Sequence, residues 1–417
     1  MLDLAAIFLV ITALLAVFNR RFIGLPTTIG VMSIALLLSL LFLALHKLGI
    51  SALDLQVKEL LGSIDFSHVL MQGMLALLLF AGALHIDLGE LHSYRWQVGL
   101  LAVFGTVVSA ALIGAGVWYL LPLLGVHLSI AYCFAFGALI SPTDPIAVIG
   151  ILKTARVPTA VETVISGESL FNDGVGVVLF AVAATMLNGE HAPTVGHVLW
   201  LFLREAGGGI AYGCVLGYTT IGLLRAIDNY QEEVLITLAA VMGGYALADH
   251  LPVSGPLSMV VVGLIVGNQG RTAAMKEITR ERLYVFWDLV DAILNCVLFV
   301  LIGFEVILVP FSQAILGPAV VVIGLALTSR WITIAIPMKI FRHSFGLPAG
   351  AWKVLTWGGL RGGISVALAL SLPHGEPREI LVTLTYAVVV FSILVQGLSI
   401  GHLVKRTLPC AGPEAGG

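Results

Sequence analysis

Charge is scarce in this chain. Only 11% of its 417 residues are Asp, Glu, Lys or Arg, against about a quarter in soluble domains, and 59% are hydrophobic. A water-soluble globule is excluded, and a net charge of −3 argues against a nucleic acid partner. Cysteine is scarce too. Cys133, Cys214, Cys296 and Cys410 show no motif spacing, and three of them lie in apolar runs, as small buried hydrophobes do. The amino-terminal stretch MLDLAAIFLVITALLAVFNRR has no basic residue before its apolar run; Arg20 and Arg21 follow it, the reverse of a cleaved signal. A retained first helix with its N-terminus outside is expected. Residues 407–417 read as a short flexible tail, and no soluble regulatory domain is expected at either end.

What the chain has instead is apolar length. Thirteen runs recur at about 4–18, 27–46, 67–86, 97–122, 128–152, 160–188, 197–224, 233–250, 256–268, 285–309, 315–338, 350–372 and 378–404. Most approach the roughly 20 residues that cross hydrocarbon as a helix. The expected fold is therefore all-α and polytopic, with about thirteen transmembrane helices. With the N-terminus outside and the C-terminus cytoplasmic, the inner loops hold fifteen Lys and Arg residues and the outer loops three, Lys47, Lys58 and Arg378. That is the sense the positive-inside rule requires. Segment 51–66 is too polar to span and is expected to lie along the outer surface.

Runs 4–6 and 11–13 read as a pair of inverted repeats. Run 5 is interrupted by SPTDP and run 12 by TWGGLRGGIS, each the middle member of its triplet. Paired broken helices at matching positions mark the binding region of a secondary transporter. Pro142 and Pro145 remove backbone donors and break the turn, which frees carbonyls and the Thr143 hydroxyl as hard oxygen ligands. Such backbone is tolerated in a membrane only where it faces protein or a water-filled cavity. A bare proline kink is the bland alternative, but a kink needs neither Thr143 nor Asp144.

A charged side chain at the bilayer centre costs about 2.5–3.5 kcal/mol, so each one needs a reason. Five stand near the middle of their runs: Asp144, Glu168, Asp173, Arg330 and Arg361. In ISGESLFNDGVGVVLF, Ser169, Asn172 and Asp173 fall at i, i+3 and i+4 and share one helix face. Glu168 is the natural partner for Arg330, because a buried guanidinium needs a carboxylate. Arg361 is placed to offset the C-terminal ends of the half-helices, and Asp144 their N-terminal ends. Pairing the two arginines with Glu168 and Asp144 leaves Asp173 for a proton or a cation. Asp288, Asp291 and Glu305 lie toward the ends of run 10 and read as rim or cavity-wall groups.

SPTDP, GESLFND and GGLRGG, in that order and at these separations, resemble the monovalent cation:proton antiporter-1 family, close to its bacterial NhaP-like sodium/proton exchangers. The resemblance covers essentially the whole chain. It implies a homodimer in a bacterial inner membrane, with a dimerisation domain from residues 1–96 and 191–312. The transport core would be 97–190 (helices 4–6) and 313–406 (helices 11–13). It also implies that Thr143, Ser169 and Asp173 bind Na+, that Asn172 steadies the site, and that Glu168 pairs with Arg330. An Asn-Asp pair, here Asn172-Asp173, resembles the electroneutral type. One position departs: Ala81 stands where many relatives carry a glutamate.

The expected activity is exchange of a monovalent cation (Na+, or Li+ or K+) for H+. One carboxylate, Asp173, holds either species but not both, and an empty buried anion is too costly to cross. Neither a cofactor nor enzymatic chemistry is expected. Two other classes fit parts of the pattern. An intramembrane aspartyl protease would pair Asp144 with Asp173, and a cation channel would use the same polar line.

Overall fold

The computed structural model describes residues 2–48, 66–144, 148–150, 152, 157–187, 195–227, 229–269, 277–308, 313–341 and 345–408. Their only extended pairing is an isolated antiparallel bridge between Asp144 and Leu360. All else regular is helical, as a lipid solvent that offers no hydrogen bonds demands.

In chain order the helices are α1 (Leu2–Phe18), α2 (Thr27–Lys47), α3 (Leu75–Leu84), α4 (Thr106–Leu120), α5 (Ile130–Ile140), α6 (Thr159–Leu187) and α7 (Val195–Arg225). There follow α8 (Tyr230–His250), α9 (Gly255–Gln269), α10 (Glu277–Glu305), α11 (Leu316–Ile340), the split pair α12a (Ala351–Trp357) and α12b (Gly363–Leu370), and α13 (Glu376–Phe391). Each of the thirteen apolar runs contains most or part of one of these. Among the described residues nine helical spans are long and apolar enough to cross a membrane, with α5 and α9 as shorter apolar helices. The shortfall from thirteen has physical reasons. α5 and α12 are interrupted, α9 has only 15 residues, and α8 has polar ends, Glu232 and Glu233 in its first turn and His250 in its last. The expected surface helix at 51–66 falls outside the described residues except for Phe66.

Several spans change pitch within the membrane. π turns at Val69–Met74, Leu100–Gly105 and Ser392–Gly397 lead into α3, lead into α4 and extend α13, respectively. α13 then runs on, so that one helical span covers Glu376–Thr407. Large apolar side chains such as Leu14, Val17, Leu41, Leu203, Val215 and Val320 point outward. A lipid-facing surface accounts for them, since soluble proteins rarely expose so much contiguous apolar area. α4 and α11, the first helices of the two triplets, touch through Ser109 Oγ and Ser329 Oγ at 3.2 Å. The two broken helices meet beside them.

Candidate ion-binding site

α5 ends at Ile140 with Ser141 as its cap, the Ser141 amide donating to the Gly137 carbonyl at 3.0 Å, and Pro142 to Asp144 run on without helical bonds. Four of the backbone groups released there find protein partners. Arg361 Nη1 donates to the carbonyls of Ser141 and Pro142, the latter at 2.7 Å. The Thr143 amide donates to Asn172 Oδ1 at 3.3 Å, and the Asp144 amide to the Leu360 carbonyl at 2.8 Å. The break in α12 is handled in the same way. Arg330 Nη2 donates to the Leu355 carbonyl at 3.2 Å, and Gln396 Nε2 to that of Trp357 at 3.0 Å. The Arg361 amide donates to Ser392 Oγ at 2.8 Å. Unwound backbone is affordable here because none of these groups is left bare in hydrocarbon.

Close approach needs small residues at two points. A Cβ at Gly362 would collide with the Asp144 carboxylate, so the two breaks cross with a bare glycine against the acid. That puts Asp144 beside the N-terminus of α12b, whose partial positive charge it offsets. A Cβ at Gly176 would likewise collide with the Pro142 ring, so α6 lies directly along the α5 break.

α6 supplies the remaining polar groups. Thr143 Oγ1 and Ser169 Oγ stand 3.2 Å apart, and Asn172 Nδ2 donates to Thr143 Oγ1 at 2.8 Å. Thr143, Ser169 and Asn172 are all at most 2% exposed. Asn172 therefore uses both ends of its amide on Thr143 and fixes the rotamer of the threonine. Asp173 lies one turn beyond Ser169 on the same face and is half-buried. Among the described residues no hydrogen bond or ion pair engages its carboxylate, and the charge nearest in effect is Asp144. Glu168 is the opposite case. Its Oε1 pairs with Arg330 Nη1 and its Oε2 accepts from Nη2 at 2.9 Å, a buried two-pronged ion pair. No group of three or more His, Cys, Asp or Glu converges among the described residues. Side-chain hydroxyl and amide oxygens with a carboxylate one turn away are hard ligands of the kind a monovalent cation takes, not those of a transition-metal site.

The structure thus gathers Thr143, Ser169 and Asn172 into one cluster, sets Asp173 a turn away, and joins Glu168 to Arg330. It commits Arg361 to the end of α5. Ser392 and Gln396, which hold the α12 break together, were not marked by the sequence. Their signal is two polar side chains four residues apart in an otherwise apolar helix. Arg204, also unmarked, sits in α7 with its guanidinium 5.1 Å from the Trp200 ring centre, exposed rather than buried.

Two helices broken where they cross, with a carboxylate and hydroxyls at the crossing, define a secondary ion transporter. The chain belongs to the sodium/hydrogen exchanger family, whose transmembrane model matches residues 8–406. It is 52% identical over 410 residues to the Na+/H+ antiporter NhaP of Pseudomonas aeruginosa, covering 97% of each chain. It is 36% identical over 378 residues to the Na+/H+ antiporter NhaH of Halobacillus dabanensis, covering 90% of this chain and 91% of that one. The fold is similar to that of the sodium proton antiporter MjNhaP1 from Methanocaldococcus jannaschii, with a TM-score of 0.75 at 19% identity over 96% of this chain and 97% of that one. Family membership makes this an integral membrane cation:proton antiporter and not an enzyme.

Proposed function

We propose that the chain exchanges one Na+ for one H+ without net charge movement, through competition of the two for Asp173. The observation that carries this reading is the contrast of two acids on α6. Glu168 is neutralised by Arg330, whereas Asp173 has no such partner among the described residues and lies a turn from the Thr143–Ser169–Asn172 cluster. A dehydrated Na+ would take Asp173 together with the Thr143 and Ser169 hydroxyls, while Asn172 holds Thr143 in place. A proton would satisfy the carboxylate alone. Either occupant makes the site neutral enough to move through a low-dielectric core, and the empty anion does not move.

In this reading the thirteen helices divide into a moving core, helices 4–6 and 11–13, and a scaffold that pairs two protomers in a bacterial inner membrane. The N-terminus lies outside and the C-terminus inside. Li+ and K+ compete for the same oxygens, with selectivity set by cavity size. The test uses purified protein in vesicles with an internal pH dye. Wild type releases protons on Na+ addition at a rate unchanged when the membrane potential is clamped. Lowering the pH raises the apparent KM for Na+ but leaves the rate at saturating Na+ unaltered. Asp173→Asn abolishes the flux; retention of Na+-driven proton movement in that variant would overturn the assignment.

A further inference from the structure

We propose that Asp291 and Asn295 of α10 form a second station for the transported cation, apart from the cluster around Asp173. The inference rests on the exchange reading and adds a ligand-bearing helix to it. Asp288, Asp291 and Asn295 follow one another at spacings of three and four and so share one face of α10. That face looks into the molecule. Three residues past Asn295, Leu298 fills the space beside Gly363, the first residue of α12b, with its Cδ1 2.8 Å from where a Cβ would stand. At the other end, Asp288 Oδ1 meets His85 Nε2 at 3.0 Å, and both side chains keep substantial exposure. The stripe therefore leads from an open rim to the broken helices.

Asn295 points to a ligand. It is completely buried, and neither its Oδ1 nor its Nδ2 has a hydrogen-bond partner within bonding geometry. A buried amide left in that state costs about 1–3 kcal/mol and calls for an explanation. Its side chain is directed at the carboxylate of Asp291 one turn back, and Asp291 in turn lies in the field of Asp144, which also reaches Asp173. Asp291 is half-buried, so its carboxylate keeps an open side. One carboxylate and one amide oxygen side by side are hard ligands of the kind a monovalent cation takes. α3 (LALLLFAGAL) holds no acid, and Ala81, one turn before His85, is buried. The charge of Asp144 thus bears on both acids, Asp173 and Asp291.

The test is Na+-dependent proton flux in vesicles over a series of Na+ concentrations at fixed pH. Asp291→Asn and Asn295→Ser should each raise the apparent KM for Na+ by about fivefold or more, while Asp291→Glu, which keeps the charge, stays within about twofold of wild type. An unchanged KM in both Asp291→Asn and Asn295→Ser overturns the station. A rise in Asp291→Asn alone also overturns it, since a bare field effect needs no amide ligand. If Asp291→Asn does not fold, Asn295→Ser decides the matter, because it removes the amide oxygen and leaves every charge in place. Failure of the exchange reading looks different: wild type would show no flux, or Asp173→Asn would keep it.

Discussion

The breaks in α5 and α12 are alike in backbone and opposite in charge. At each, the C-terminal carbonyls of a half-helix end against an arginine, Ser141 and Pro142 against Arg361, and Leu355 against Arg330. Yet the α5 break presents Thr143 and Asp144, while the α12 break presents a guanidinium. The difference shows how the work is divided. Free carbonyls at the end of α5 would be strong oxygen ligands beside Thr143 and would hold a cation too well for release. Arg361 occupies two of them. In the proposed exchange, what remains for the cation is a sparse set of side-chain oxygens, weak enough to be emptied and strong enough, with a carboxylate, to be filled.

That division ranks the two arginines. Arg330 serves both the end of α12a and Glu168, so Arg330→Ala strands a carboxylate that is 1% exposed. Breaking a buried ion pair from one side costs about 3–5 kcal/mol, and this is the largest effect expected. Arg361→Ala removes hydrogen bonds from a charged donor to carbonyls only, at about 1.5–3 kcal/mol. Thermal unfolding of the purified variants in detergent orders them. Equal losses would mean that the Glu168 pair contributes nothing beyond the helix-end contact, and the asymmetry between the breaks would fall.

The second expectation concerns the α5 side alone. Gly176→Ala drives a methyl into the Pro142 ring, and overpacking of this kind costs about 1–3 kcal/mol. Because Pro142 adjoins Thr143, the shift reaches the hydroxyl cluster. The apparent KM for Na+ in vesicle flux should rise, and Gly176→Ser should raise it further by adding an oxygen to the same space. A KM equal to wild type in both would separate the break from the cation.

Much of this arrangement was legible in the sequence. Prolines three apart around Thr143 and Asp144 announced the α5 break, and a buried arginine with a buried glutamate could hardly avoid each other. The periodicity of Ser169, Asn172 and Asp173 was enough to place them on one face. The rest was hidden for specific reasons. The acceptors of Arg361 are backbone carbonyls, which carry no mark in the sequence. The π turn at Ser392–Gly397 changes the helix pitch by one residue, so the facing of Ser392 and Gln396 does not follow from a period of 3.6. Asp291 read as a rim group because it lies near the start of the apolar run 285–309, whereas the folded helix begins at Glu277 and puts it at mid-length. Only the inward packing of Leu298 against Gly363 shows which way that face is turned.

The smallest effect sharpens the comparison most. Ser392 accepts the hydrogen bond of the Arg361 amide inside the α12 break, and its loss in Ser392→Ala should lower stability by about 1 kcal/mol. In the proposed reading the α12 break supplies counter-charge and no ligand, so loosening its backbone should leave the oxygens around Thr143 and Ser169 where they are. The apparent KM for Na+ should therefore stay at the wild-type value while the unfolding temperature falls slightly, the reverse of the pattern for Gly176→Ala. If Ser392→Ala moved KM as far as Gly176→Ala does, the two breaks would be acting as a single ligand frame. Arg361 would then be a gate on the cation rather than a fixed cap on the end of α5.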